Sequence, residues 1–337
     1  MKKIILLLLI TFSNPLLSQE INEYIQKGIE YHDAKNYNNA IKIYKKALKI
    51  DNESTLAHYE IALSYNAMQD YKNAIKHSDI VLKHNKDYLI PAYLIKGSSL
   101  DIMGETKESI NVFRKAIKEH GNNYLLYYNL ALNYYKIKEY NDAEKNAINA
   151  ILTNSNHTSS HLLLGNINYL KKQKVQTLLP LYYFLFLEPD SNRSNEAYGL
   201  LIANLKSGVA KDSEKPNNIN ITLNVDSKND DEFGAAELMI SLLEANKYSE
   251  KEKEKTEEEI FEENTTSFFT VLGELKKDSN KGIYWELYTS FFYELSQSDH
   301  IEAYCHYIRQ VNNQKSVEWL LNNDKKLEEF DLWLQEN

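Results

Sequence analysis

The chain has 337 residues, and its 10 Gly and 5 Pro are too few for an all-β sandwich or barrel, which needs frequent turn residues. A net charge of −9 argues against holding nucleic acid by phosphate neutralisation, and 43% hydrophobic with 26% charged residues excludes an overall disordered chain and a membrane bundle. The only cysteine, Cys305, leaves no intramolecular disulfide.

At the N-terminus, Lys2 and Lys3 precede an unbroken apolar run from Ile4 to Ile10, and Pro15 is expected to break that helix. Leu16 and Ser18 stand at the −3 and −1 positions of a cut before Gln19, which completes the layout of a cleaved export signal. The run is well short of the roughly 20 residues a spanning helix needs. Residues 1–18 are therefore expected to be removed, leaving a periplasmic, envelope-associated or secreted protein without a transmembrane span. No cysteine near the signal offers a lipoprotein anchor.

Residues 19–206 carry an internal repeat. Gly28, Ala62, Gly97, Ala131 and Gly165 mark one small position in successive units, at steps of 34, 35, 34 and 34 residues. Twelve residues after the markers stand Ala40, Ala74, Ser109, Ala143 and Thr177, and seven further on Ala47, Val81, Ala116, Ala150 and Phe184. Large residues precede the markers by four (Tyr24, His58, Tyr93, Tyr127, His161) and mostly follow them by three (Tyr31, Tyr65, Leu100, Tyr134, Asn168). Small residues let two helices approach where they cross, and the large ones fill the space beside the crossing. Lys35-Asn36-Tyr37, Gln69-Asp70-Tyr71 and Lys138-Glu139-Tyr140 fall where the turn of each pair is expected. The fifth unit departs from the pattern at Asn168 and Thr177.

These residues resemble the tetratricopeptide repeat (TPR), a pair of antiparallel helices in about 34 residues. The resemblance covers roughly residues 21–191; Leu164-Gly165 matches the family's Leu-Gly pair and Pro189 its helix-ending proline. It implies an all-α, right-handed α-solenoid, and a groove lined by set positions of each first helix. In this chain those positions include Tyr59, Leu63 and Asn66, then Leu94, Ser98 and Asp101, then Tyr128, Leu132 and Tyr135, and lastly Leu162, Asn166 and Tyr169. Tyrosines on a rigid wall are good protein-contact anchors, because they bury much area for little lost side-chain entropy. Packing against the neighbouring helix or the C-terminal region is the alternative for each of them. Some relatives clamp a C-terminal carboxylate with Lys and Asn in the first unit; here Ile25 and Ile29 occupy those places, which argues against chaperone-tail recognition.

Residues 207–231 read as a polar linker or insert. Within it Ile219, Ile221, Leu223 and Val225 alternate with polar residues, the period of an extended strand, and no partner strand of comparable quality is visible. A connection packed on the helices is favoured over docking into the groove. Helices are expected to resume near Glu232 and to run to the C-terminus (232–337). Thr256 with Glu259 fits a capping box, and the charged stretch Glu250 to Glu263 reads as a solvated helix face or disorder. Aromatics crowd Tyr284 to Leu295, Asp299 to Ala303 resembles the turn and second-helix start of a degenerate repeat, and Trp319, Leu320, Phe330 and Trp333 would close the stack.

No glycine-rich phosphate loop, His-Glu-x-x-His or paired-cysteine motif is present, so neither a cofactor nor a metal is expected. Cys305-His306 is the nearest thing to a nucleophile pair, and adjacent residues on a helix point about 100° apart. The reading is an exported scaffold that binds protein partners through an aromatic groove and is not an enzyme. The competing reading is an enzyme whose active site lies in the C-terminal half, which buried carboxylate or histidine clusters there would favour.

Overall fold

A computed structural model describes residues 15–84, 86–212, 218–223 and 232–336. The expected export signal lies mostly outside them. The first described helix opens at Pro15, a residue whose fixed φ and missing N–H suit a first turn, and the expected cut before Gln19 falls inside it. Among the described residues the protein is all-α apart from one short hairpin, and the chain comprises two compact units, up to Ile137 and from Lys138.

The first unit holds α1 (Pro15–Asp33), α2 (Tyr37–Ile50), α3 (Thr55–Ala67), α4 (Tyr71–His84), α5 (Leu89–Ile102), α6 (Thr106–His120) and α7 (Tyr124–Lys136). α1 pairs with α2, α3 with α4 and α5 with α6, and each second helix then packs on the next first helix. The first helices also touch one another in the order α1, α3, α5, α7, whereas the second helices meet chiefly through them, so this array bows outward on the second-helix side.

The glycine markers sit where a large side chain of the paired helix fills the space a Cβ would take. A Cβ on Gly28 would lie 2.1 Å from the ring of Tyr44, and one on Gly97 2.3 Å from the ring of Phe113. In the second unit a Cβ on Gly165 would lie 2.8 Å from Leu181. In each case the large partner follows its glycine by sixteen residues. Where the marker is alanine the sixteenth residue on is small, Ser78 after Ala62 and Ala147 after Ala131. A large partner thus stands only opposite a glycine, because a Cβ on the marker would take the space its side chain fills.

The turns repeat as well. Lys35 and Gln69 are left-handed at φ 58° and 62°, and Lys138 and Lys172 repeat this at 64° and 60°. Gly104, at φ 87°, is the only member of the series suited to that conformation without strain. In the first, second, third and fifth units the following N–H reaches back to close the helix, as from Asn36 to the Tyr31 carbonyl at 2.8 Å.

The second unit holds α8 (Tyr140–Thr153), α9 (Thr158–Leu170), α10 (Lys174–Leu187), α11 (Asn192–Lys206) and all that follows. α10 is apolar on every side and is buried on every side: Val175, Leu178, Leu179, Leu181, Tyr182, Phe184 and Leu185 are all at most 1% exposed. It is surrounded by α9, α11, α12 (Gly234–Asn246), α15 (Ile301–Arg309) and a π-helical turn, Tyr284–Thr289. Pro180 inside α10 cannot donate to the carbonyl of Gln176, and Asn168 Nδ2 donates to that oxygen instead at 2.9 Å. The same amide donates to Tyr284 Oη at 2.7 Å. Asn168 leaves the repeat pattern because it serves this proline and the C-terminal helices.

The alternating segment has a partner that its sequence did not reveal. β1 (Val209–Lys211) and β2 (Ile219–Ile221) form an antiparallel hairpin packed on α12. Three residues are too few to show alternation, which is why Val209–Lys211 passed unnoticed. Gly208, at φ 77°, opens the hairpin where a Cβ would lie 2.3 Å from the Thr222 carbonyl oxygen. Val225 lies outside the described residues.

α13 (Glu257–Leu275) begins with the expected capping box: Glu259 N donates to Thr256 Oγ1 at 3.2 Å, and Thr256 N to Glu259 Oε2 at 2.8 Å. Glu250–Glu254, ahead of it, is a 3₁₀ turn. α14 (Ser290–Ser296) follows the π-helical turn, and α15 starts at Ile301, inside the segment expected to begin a helix. α16 (Gln314–Asn322) and α17 (Asp324–Glu336) end the chain. Trp319 stacks on His306 at 4.4 Å and Phe330 is 4% exposed.

Candidate functional site: the first-helix face

A binding face on helix pairs must come from side chains that helix packing leaves over. Tyr59, Leu63 and Asn66 form one stripe on α3, as do Leu94, Ser98 and Asp101 on α5 and Tyr128, Leu132 and Tyr135 on α7. All nine are half-buried, while the markers Ala62, Gly97 and Ala131 on the same helices are buried. In the second unit Leu162 and Asn166 on α9 are half-buried and Tyr169 is 45% exposed.

The polar members of the stripes have structural partners. Ser99 Oγ donates to Asn66 Oδ1 at 3.2 Å, joining α5 to α3. Ser98 Oγ donates to Asn129 Oδ1 at 3.4 Å, joining α5 to α7. Asp101 accepts from Thr106 Oγ1 at 2.7 Å and from Lys136 Nζ at 3.0 Å. Asn66 and Asp101 thus hold neighbouring first helices in register. The aromatic and aliphatic members are the better candidates for contact with a partner.

One member of the face escaped the sequence reading. Tyr88 stacks on Tyr59 with centroids 5.1 Å apart and planes 12° apart. It lies in the loop that makes the second step 35 residues instead of 34, and its φ is 62°. The extra residue was the available signal. Burial, and then the charge of Glu60, raise the Tyr59 phenol above its ordinary range, so the ring is neutral at physiological pH. Leu63 packs with Tyr59 and Tyr65 against Ala62, Ala74 and Ile95. On α1, Ile25 is 2% exposed and Ile29 packs on the same core, which puts apolar groups where a carboxylate clamp would need polar ones.

Behind this face, His58 Nδ1 and His77 Nδ1 lie 2.9 Å apart. Burial lowers both pKa values, that of His77 to about 4, so at neutral pH one ring donates to the other and neither is charged. In the second unit His161 is fully buried between Tyr288 Oη at 2.6 Å and the Ser155 carbonyl at 2.8 Å. All three are parts of the framework.

In the C-terminal half, Tyr182, Glu244, Phe261, Asn264 and Thr265 help enclose a cavity of about 20 Å³, room for little more than one water. The carboxylate of Glu244 is paired with Lys247 at 2.5 Å. Cys305 is 3% exposed and burial holds its thiol protonated, while His306 is engaged with Ser316 Oγ at 3.1 Å. Among the described residues no three His, Cys, Asp or Glu are placed to hold a metal ion, and no helix is long and apolar enough to cross a membrane.

Residues 24–54 and 90–119 match the sequence model of the tetratricopeptide repeat. A TPR repeat-containing protein of Methanocaldococcus jannaschii is 30% identical over 118 residues, 34% of this chain. The chain spans only 20% of that relative's length. Among solved structures, PilW, a type IV pilus biogenesis factor, superposes with a TM-score of 0.48 at 17% identity, over 56% of this chain and 91% of its own. YrrB, a TPR protein with an unusual peptide-binding site, gives 0.44 at 16% identity, over 54% and 97%. A TPR repeats protein from Bacteroides fragilis gives 0.33 at 22% identity, over 55% and 97%.

Proposed function

Starting from a chain that belongs to the tetratricopeptide-repeat family, we propose an exported scaffold that binds protein partners along its first helices. The supporting observation is the division of labour on α3, α5 and α7. Their small residues are consumed at the crossings and their polar residues bond to one another, while Tyr59, Leu63, Leu94, Tyr128, Leu132 and Tyr135 stay partly accessible. Rigid aromatic side chains of this kind are the usual anchors of an interface. On α9, Leu162, Asn166 and Tyr169 are the corresponding candidates. Tetratricopeptide-repeat proteins are generally scaffolds without catalytic activity, and the proposed role requires no cofactor.

Export is part of the proposal and rests on residues 1–18. N-terminal sequencing of native protein is expected to begin near Gln19; an intact Met1 on cytoplasmic protein would remove it. Cross-linking in envelope fractions with mass spectrometry would identify a partner. The same titration is then run on wild type, on Tyr128→Ala/Tyr135→Ala and on a chain lacking residues 212–230. The double substitution is expected to weaken binding about tenfold or more, since each anchor contributes on the order of 1–2 kcal/mol. Full affinity in that variant, with loss in the deletion, would move the site to the hairpin region.

A further inference from the structure

The second helices of the first unit carry a charge opposite to that of the chain. α2, α4 and α6 hold eleven Lys and Arg against three Asp and Glu, while α1, α3, α5 and α7 hold three against six. From Gln19 to Ile137 the chain has 16 basic and 14 acidic residues, and from Lys138 it has 21 and 34. A merely soluble face on a protein of net charge −9 would mix both signs.

The repeat register shows that this is one face. Lys42, Lys45, Lys46 and Lys49 stand fourteen, seventeen, eighteen and twenty-one residues after the first marker, a single stripe along α2. The same four places in α6 hold Asn111, Arg114, Lys115 and Lys118, and Lys76 and Lys83 occupy two of them in α4, whose Asp79 is paired with Lys96 at 2.6 Å. The basic residues of the three stripes are all exposed. In the fifth repeat these places hold Leu179, Tyr182, Tyr183 and Phe186, and Tyr182 and Tyr183 are packed against aromatic rings of the C-terminal helices. The face is therefore apolar where the chain covers it and basic in the first three repeats.

We propose that the second-helix face of the first unit docks on an anionic phospholipid surface. The face bows outward, so it meets a plane over more of its area than it meets a rod-shaped duplex. Its cations are lysines but for Arg114, hydrated point charges without the fork that reads individual phosphates. None of the large exposed apolar side chains of the described residues lies on α2, α4 or α6, so no aromatic platform is offered to single-stranded bases and no wedge to the acyl layer. What remains is Coulomb attraction of clustered lysines to acidic headgroups.

The test is co-sedimentation of the full chain, purified from Gln19 onward, with phosphatidylcholine vesicles containing or lacking about a third phosphatidylglycerol. Lys42→Gln, Lys49→Gln, Lys76→Gln and Lys118→Gln are combined in one variant; these side chains are exposed, and circular dichroism checks the fold. An equal charge change at Lys206, Lys277, Lys281 and Lys325 is the control. Wild type is expected to bind the anionic vesicles at least about tenfold more tightly than neutral ones. That preference should vanish between about 0.1 M and about 1 M salt, as the screening length falls from about 10 Å to about 3 Å. The first variant should lose at least about tenfold in affinity and the control less than about twofold. Equal binding to neutral vesicles, insensitivity to salt, or equal loss in both variants overturns the proposal. Tighter binding to a DNA duplex than to the anionic vesicles overturns it too, and gives the face to nucleic acid.

Discussion

Replacing Gly97 with alanine tests the packing rule at a helix crossing. The added Cβ would lie 2.3 Å, 2.6 Å and 2.7 Å from three ring atoms of Phe113, a side chain that is 0% exposed and has no open side to turn toward. Overpacking of this kind costs about 1–3 kcal/mol, and an approach this close belongs in the upper half of that range. Against it stands a gain of about 0.8–1.0 kcal/mol from replacing glycine inside a helix. The net expectation is destabilisation by about 1–2 kcal/mol. The chain supplies its own control: Gly199 on α11 lies 34 residues after Gly165, yet a Cβ there would meet nothing within 4 Å. Gly199→Ala should therefore stabilise by about 0.5–1 kcal/mol. Urea unfolding followed by circular dichroism measures both, with hydrogen exchange at α5 and α6 to localise the loss, because repeat arrays need not unfold in one step. In a double-mutant cycle, Phe113→Leu should be less harmful in the Gly97→Ala background than alone. If Gly97→Ala proves as stable as wild type, the exclusion of a Cβ by the ring of Phe113 is refuted.

Ala131, 0% exposed, should tolerate Trp at a loss of about 1–3 kcal/mol, and unchanged thermal and denaturant stability would show the repeat register to be wrong. Tyr288→Phe should destabilise by about 1–3 kcal/mol, because it leaves the buried His161 Nδ1 without its 2.6 Å partner; a stability equal to wild type would deny that bond any importance. Burial lowers the His161 pKa to about 4, so its contribution is complete above the unfolded value of about 6.5 and is lost as the pH falls toward 4. By about pH 4.5 this histidine alone should remove about 2–3 kcal/mol, and His161→Gln should flatten the pH dependence of the urea midpoint by about one proton. An unaltered slope in that variant would place the acid sensitivity elsewhere.

The periodic part of this protein was legible because each repeat solves the same local problem. A small residue must recur wherever two helices cross, and a turn must follow seven residues later, so Gly28, Ala62, Gly97, Ala131 and Gly165 and their turns could be placed from spacing alone. The capping box at Thr256 and Glu259 was legible for the same reason, since its two bonds span three residues. The stripes on α3, α5 and α7 follow from that register. Which of their members are already engaged does not, because Asn66 and Asp101 meet partners 33 and 35 residues away in sequence.

The second unit depended on tertiary structure. Its sequence shows an aromatic-rich, unpatterned stretch because α10 is enclosed, and an enclosed helix has no polar face to give a period. Asn168 read as a lapse in the repeat until Pro180 and Tyr284, the latter 116 residues away, appeared beside it. Val209–Lys211 is a strand only because Ile219–Ile221 lies against it. Spacing along the chain records contacts that recur within a repeat, whereas a contact made once between distant residues leaves no period to read, and only folding brings its two ends together.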